Sequence, residues 1–389
     1  MKIRIGLTAF CEFEMSQTAK PQVSFYHPLR HVDSAHFIDV YMKHGGYARL
    51  NQPQLIQQLL TSKFLNRNGI SLSSYWSRMA LPPTKPRSVL VNMASTEPGM
   101  FAMRRMIQRN PHGLIEGLLL AAKATGADQG FLVSPIEDSL LAQTIERALG
   151  ESHREGLWGD TARWSFDIQH IRLPKSLLYD QDSFLLASLS GQRPGYPHRK
   201  EFLCAQPVHI HRAEELYALV AMASERGDIF MSKGTVNSPG VYLITIGGEI
   251  AKTTTVEVPG GTTIAEIMAA SGHDFSMKDG WLRWGGVLGH WYRPDEIEAQ
   301  PFEISHQDSF CLRTFQYPLL EWYSDESAAA AKRAMSYFAG DQSCGACLAC
   351  SRSTTGLSKW SQSEKQVFSS LAKCSFFARA CEASEGPAW

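Results

Sequence analysis

Hydrophobic positions along the chain fall into two textures that meet near residue 206. From about residue 40 onward, short β-rich runs alternate with helical segments. Ser88–Asn92 reads as a buried strand and Gly130–Val133 as another. Between them Leu114, Ile115, Leu118 and Leu119 recur at helical spacing, and Gly126 stands where that helix can stop. Leu140–Leu149 reads as a further helix. Strand–helix alternation of this kind predicts an α/β layered domain.

Beyond residue 207 the pattern changes. Val241–Ile246 and Thr253–Val258 are β-branched runs joined by a turn containing Gly247 and Gly248, which predicts a hairpin. Thr262–Ala270 follows as a helix, and Trp281–Trp291 as further strand, together a small β-rich domain of the ubiquitin-like kind. Asp325–Ala339 is helical, with Ala331, Met335 and Phe338 on one face, and Gln362–Ala372 reads as a second helix packed against it. The expected organisation is an N-terminal arm (1–40), a Rossmann-like α/β domain (41–206), a β-grasp domain (207–320) and a helical C-terminal domain (321–389).

A chain of 389 residues is long enough for two or three such units. Lys+Arg and Asp+Glu are both 38, so no net field draws it to nucleic acid. The longest apolar stretches, Leu114–Ala122 and Phe184–Leu189, fall well short of the roughly 20 residues that span a bilayer. The apolar run at the N-terminus ends at Glu12, too early for a signal sequence. A cytoplasmic location, peripheral to any membrane complex, is the expectation.

The chemistry concentrates at the C-terminal end. Of eight cysteines, Cys11, Cys204 and Cys311 are scattered, whereas Cys344, Cys347, Cys350, Cys374 and Cys381 crowd into the last 46 positions. Cys344, Cys347 and Cys350 stand at two consecutive two-residue gaps, so that one loop could give each thiolate a different iron of a [4Fe-4S] cluster. No fourth Cys-Pro follows, so the remaining ligand comes from Cys374 or Cys381. Structural zinc usually takes cysteines in pairs and suits three so close together less well. A redox dithiol needs only one pair. Two histidine groups remain. His27, His31 and His36 lie in a polar arm, and His209 and His211 share one side of any strand they form; neither group has an evident further ligand. Trp281, Trp284 and Trp291 suit either a binding surface or a β-domain core.

Several motifs in a fixed order carry a resemblance. Gly45-Gly46-Tyr47 within Tyr41–Leu50, the stretch from Asn92 to Gly99, the run Pro111-His112-Gly113-Leu114-Ile115-Glu116-Gly117, Ser238-Pro239-Gly240-Val241-Tyr242 through Thr263, and the cysteine loop together resemble the flavoprotein subunit of respiratory NADH:quinone oxidoreductase (complex I). That family extends to the matching subunits of NAD-linked hydrogenases and formate dehydrogenases. The resemblance implies Tyr41–Leu50 as the first helix, an FMN and NADH site in the first domain, a small ligand-binding (SLBB-like) β-grasp domain, and a cluster on Cys344, Cys347, Cys350 and Cys374. It also implies partner subunits carrying flavin, iron–sulfur or quinone sites.

The departures from the family pattern fall together in one pocket. The glycine-rich flavin loop, G-R-G-G-A-G-F in the family, reads Asn66-Arg67-Asn68-Gly69-Ile70-Ser71-Leu72 and keeps only Arg67 and Gly69. Such loops use glycine so that backbone N–H groups can approach a phosphate without a Cβ between, and a β-branched Ile70 fits badly there. The family's N-A-D-E-S-E-P-G becomes Asn92-Met93-Ala94-Ser95-Thr96-Glu97-Pro98-Gly99, retaining Asn92 and Glu97 but neither central acid. A G-E-E triplet becomes Asp180-Gln181-Asp182, and an Asn-Asn pair becomes His211-Arg212. These changes argue against FMN and NAD(H) as working cofactors. Arg67, Gly69, Asn92 and Glu97 are what the family pattern leaves. Arg67, Asn92 and Glu97 are either remnants of a working nucleotide pocket or, the favoured reading, kept for structure, since Glu97-Pro98-Gly99 makes a natural turn. The leading expectation is an iron–sulfur electron-transfer subunit; an active FMN-dependent NAD(P)H dehydrogenase with a rebuilt loop and a zinc-binding interaction module are the alternatives.

Overall fold

Two sheets organise the chain, and the crevice where they meet holds the site. The computed structural model describes residues 24–29, 32, 34–78, 87–95, 97–159, 164–191, 208–250, 252–272, 280–287, 289–304 and 317–342. The helices are α1 (Ile38–Lys43), α2 (Pro53–Leu60), α3 (Leu72–Arg78), α4 (Ala102–Arg109), α5 (Pro111–Thr125), α6 (Ser139–Arg154), α7 (Asp182–Leu189), α8 (Ala213–Ala223), α9 (Gly227–Met231), α10 (Ile264–Ala270), α11 (Pro294–Ile297) and α12 (Asp325–Asp341). A 3-10 turn, Leu177–Asp180, precedes α7.

The first sheet is parallel, with strands β1 (Ser88–Asn92), β2 (Gln129–Pro135), β3 (Asp167–Leu173) and β4 (Val208–Arg212) in the order β3-β2-β1-β4. All five residues of β1 are buried, as a central parallel strand covered on both faces requires. Helix α5 is apolar almost all round, and only two of its fifteen residues escape full burial. Pro111 starts it, the Asn110 side chain accepts from Gly113 N, and Gly126 ends it with φ +66.

Helix α8 crosses α5 closely enough that a Cβ on Gly117 would stand 2.5 Å from the Leu216 carbonyl oxygen. Glycine at 117 therefore reflects close approach of two backbones and not a turn.

The second sheet contains β5 (Val241–Gly248), β6 (Thr254–Pro259), β7 (Trp281–Trp284), β8 (His290–Tyr292) and β9 (Leu319–Tyr323) in the order β6-β5-β9-β7-β8. The first and last strands, β5 and β9, are parallel neighbours in its middle, flanked by two antiparallel hairpins. That is the strand order of a β-grasp. Thr263 caps α10 with a capping box to Glu266.

Three expectations change. Tyr41–Leu50 is not a helix: α1 stops at Lys43, and positive φ at Gly45 and Tyr47 turns the chain. Gly247 and Gly248 belong to β5, because β9 pairs with them and prolongs the strand. The parallel sheet runs on past residue 206 to take in β4, and β9 straddles residue 320. The short alternation of β4, with His209 and His211 inside, gives little hydrophobic signal of a strand. The α12 helix lies where expected, and Gln362–Ala372 lies outside the described residues. Among the described residues no helix is long and apolar enough to cross a membrane.

Gly117→Ala should lower stability by about 1–3 kcal/mol, since neither backbone can retreat from the added methyl. Urea unfolding followed by circular dichroism reads the loss.

Candidate functional site: the crevice at the sheet switch point

Strand order reverses beside β1, where β2 leads one way and β4 the other, and open α/β sheets bind ligands beyond the carboxyl ends of strands at such a point. Asn92 ends β1 there and Arg212 ends β4. The Asn66–Ile70 loop, the 3-10 turn and the start of β9 also reach this region through the side-chain contacts that follow.

The loop that should cradle a phosphate is folded on itself. Asn66 Oδ1 accepts from the N–H groups of both Asn68 and Ile70, each at 3.0 Å. The Gly69 N–H donates to the Asn66 carbonyl at 2.9 Å, and Asn66 N–H to the Ile70 carbonyl at 2.9 Å. Arg67 N–H points to Glu215 Oε1 at 3.4 Å. The donors an anion would need are spent on a tight turn, which Gly69 completes with φ +71. Asn92 is equally committed: its amide donates to the Tyr179 carbonyl at 2.7 Å, and its oxygen accepts from Ala94 and Ser95 N–H.

Charged side chains fill the space between these segments. The Asp180 carboxylate accepts from Arg212, from the Tyr317 hydroxyl and, at 2.7 Å, from the Ser95 hydroxyl. Arg67 stands 3.7 Å from the same carboxylate, pairs with Glu214 in the first turn of α8, and lies over the Tyr317 ring at 4.9 Å. The Asp180 side chain is only 6% exposed, and those of Arg67 and Arg212 are 12% and 13% exposed. Burial disfavours the Arg67 guanidinium, but the Glu214 and Asp180 carboxylates outweigh it and raise its pKa above the usual arginine value. Burial pushes the Tyr317 hydroxyl upward, so it stays a donor.

Glu97 lies alongside. Its Oε1 accepts from Val287 N–H at 2.8 Å, and its Cδ sits where a Cβ on Gly286 would come within 2.6 Å. Arg283, wholly buried, is 3.9 Å away and makes its close contacts with Glu321. Burial pushes the Glu97 carboxyl up to about 8 against the pull of Arg283 and of the Val287 N–H. A neutral Glu97 removes one buried negative charge beside three guanidinium groups (Arg67, Arg212, Arg283) that already pair with Asp180, Glu214 and Glu321.

Two other buried polar chains are structural. His211 Nε2 accepts from Trp76 at 3.1 Å, so Nδ1 donates to Glu215 at 2.8 Å. His209 is buried, and desolvation, aided by His211 and Arg87, lowers its pKa to about 4. Ser134, His170 and Glu146 line up at 2.7 and 3.3 Å like a hydrolytic triad, but Ser134 is 0% exposed and no substrate reaches it. Trp284 is core, whereas Trp281 and Trp291 enclose the Lys332 ammonium at 3.9 and 5.0 Å.

All four remnants therefore lie around one crevice, each held by contacts within the protein. Asp180 and Arg212, noticed in the sequence only as departures, turn out to be partners. Ser95 was noticed only as part of a stretch that had lost its acids, and Glu214, Arg283, Tyr317 and Glu321 gave no motif signal. Cys344, Cys347, Cys350, Cys374 and Cys381 lie outside the described residues, and among the described residues no cluster of His, Cys, Asp and Glu could hold a metal.

The fold joins a parallel four-stranded α/β sheet to a second, mixed sheet, and side chains of the protein itself fill the crevice at the switch point. Residues 71–218 match the family model described as the Nuo51 FMN-binding domain. The chain is similar to the NAD-reducing hydrogenase HoxS subunit alpha of Cupriavidus necator, 25% identical over 77% of this chain and 50% of that one. An NADH-quinone oxidoreductase subunit of Rickettsia bellii is 29% identical over 58% of this chain and 56% of its own length. The chain thus spans about half to three-fifths of the relatives it matches. A crystal structure of an NAD+-reducing [NiFe]-hydrogenase in the H2-reduced state shares the fold with a TM-score of 0.68 at 21% identity, over 82% of this chain and 56% of that chain.

The FMN that the family description names does not fit this crevice: the loop amides are bonded internally, and Asp180, Arg212 and Tyr317 bond one another across it.

The raised Glu97 pKa carries a sign. In the unfolded chain Glu97 titrates at about 4.3. Between that value and about 8 the folded protein holds a proton the unfolded chain has released, so this contribution is full in acid and fades as pH rises through the window. Urea unfolding from pH 5 to 8 should show this as a decline of up to about 1.4 kcal/mol per pH unit. Glu97→Gln should flatten it; an unchanged slope would place the proton elsewhere.

Proposed function

We propose that this chain is an electron-transfer subunit of a multi-subunit oxidoreductase related to NADH dehydrogenases and NAD-reducing hydrogenases. It would hold one [4Fe-4S] cluster on Cys344, Cys347, Cys350 and Cys374, with no FMN or NAD(H) of its own. The observation that carries the reading is the Asp180–Arg212 pair, with Arg67 and Tyr317, lying where the family's flavin crevice should be open. The cysteine spacing supplies the cluster half of the reading.

The chemistry follows from what each group can carry. A cluster takes and gives single electrons, whereas a hydride brings two and needs a flavin-like acceptor. Electrons would reach this chain one at a time, from a partner subunit that carries flavin, iron–sulfur or quinone. The SLBB-like β-grasp and the helical C-terminal region would be the docking parts, on the cytoplasmic side and peripheral to any membrane complex. A second reading, an FMN-dependent NAD(P)H dehydrogenase with a rebuilt loop, draws on the match to an FMN-binding domain model.

Protein purified without oxygen should carry about four iron and four acid-labile sulfides per chain. Cys374→Ser should lose the cluster while Cys381→Ser keeps it; the reverse pattern would move the fourth ligand to Cys381. Zinc without labile sulfide would favour the interaction-module alternative, and a flavin band bleached by NADH would establish the dehydrogenase.

A further inference from the structure

The crevice contacts join segments that are far apart in the chain, and they join the two sheets. Arg67, Ser95, Asp180, Arg212 and Glu214 come from the parallel-sheet half, and Tyr317 leads directly into β9 of the other. Glu97 repeats the pattern, bonding Val287 just after β7, with Arg283 and Glu321 behind it. The turn that presents Asp180 also reaches α12. Leu177 N–H donates to the Gln342 side-chain oxygen at 3.1 Å, and Met335 packs on a cluster of Leu177, Val287, Tyr317 and Leu319. Gln342 directly follows α12.

We propose that the side chains filling the crevice act as an interdomain clamp, taking over the bridging position a bound ligand would occupy, and that Asp180 and Arg212 are its reciprocal core. The proposal rests on the reading that no flavin occupies the crevice. In the family pattern glycine stands at the position of Asp180 and asparagine at that of Arg212, so neither partner is inherited. A lone acid or a lone guanidinium buried here would be costly, whereas the two together neutralise each other. Tyr317 adds the contact that reaches the second sheet, because its hydroxyl bonds both Asp180 and Ser95. The clamp therefore sets the pose of β9 and, through Leu177 and Gln342, of the end of α12. Asp180, Arg212 and Tyr317 are positioning residues on this account.

Hydrogen–deuterium exchange on the full-length chain tests the clamp. Asp180→Asn should raise exchange in peptides covering β9 and α12 by about a hundredfold, with β2, β3 and α6 unchanged. Adding Arg212→Gln to Asp180→Asn should bring much of that protection back, because the stranded guanidinium is gone. Tyr317→Phe removes one hydroxyl only, and should loosen β9 by about tenfold even if Asp180→Asn fails to fold. Unchanged exchange in β9 and α12 for Tyr317→Phe, or strictly additive effects of Asp180→Asn and Arg212→Gln, would overturn the clamp. Absorbance near 450 nm in the same wild-type preparation separates the two layers of the proposal. Flavin-free protein with unresponsive variants removes the clamp alone, whereas flavin-loaded protein removes the reading beneath it as well.

Discussion

One carboxylate holds the crevice together. Asp180 is nearly buried, and it accepts from a guanidinium, a phenol and a serine hydroxyl while a second guanidinium stands 3.7 Å off. Its partners come from four separate stretches, so no single element could form the site without the others. Water would screen such contacts on the surface; here burial both strengthens them and makes each partner costly to lose. The rest of the site follows: Arg67 is oriented by Glu214 and Asp180 together, and the Asn66–Ile70 loop closes on itself because Asn66 Oδ1 accepts from its amides.

The scaffold obeys a different constraint from the pocket. The α5 helix must lie against α8 at the distance Gly117 allows, and Gly126 must turn left-handed to end it. Those demands come from packing and do not depend on what the crevice binds. The Asn66–Ile70 loop carries no such packing duty. Ile70 and Asn68 are compatible with a tight turn stapled by Asn66, although they would hinder a phosphate cradle.

Much of the fold was legible in the chain because packing writes itself as periodicity. Ser88–Asn92, the 114–119 spacing with Gly126, the 241–258 hairpin and the helix from Asp325 appear where the pattern indicates. The misreadings are local. Tyr41–Leu50 has helix-compatible residues, but two residues in positive φ override them. Strand β4 hid because its inward side chains are two histidines, of which His211 is held by Trp76 and Glu215. Of the site, the loss of the ligand cradle was visible as missing glycines and acids. What replaced it was not, since Glu214 and Tyr317 belong to no motif, and Ser95 and Tyr317 meet Asp180 only through tertiary folding. The opposite charges of Asp180 and Arg212, both new relative to the family pattern, were the one available hint of a pair.

The central claim is that side chains of this chain fill the crevice at the switch point and leave no room there for FMN. Titration of FMN into the anaerobically purified full-length protein, followed by quenching of flavin fluorescence, addresses it directly. The account predicts no saturable binding at micromolar flavin. Stoichiometric, saturable quenching would contradict it, since the crevice would then have to open its internal ion pairs to admit the ring and phosphate.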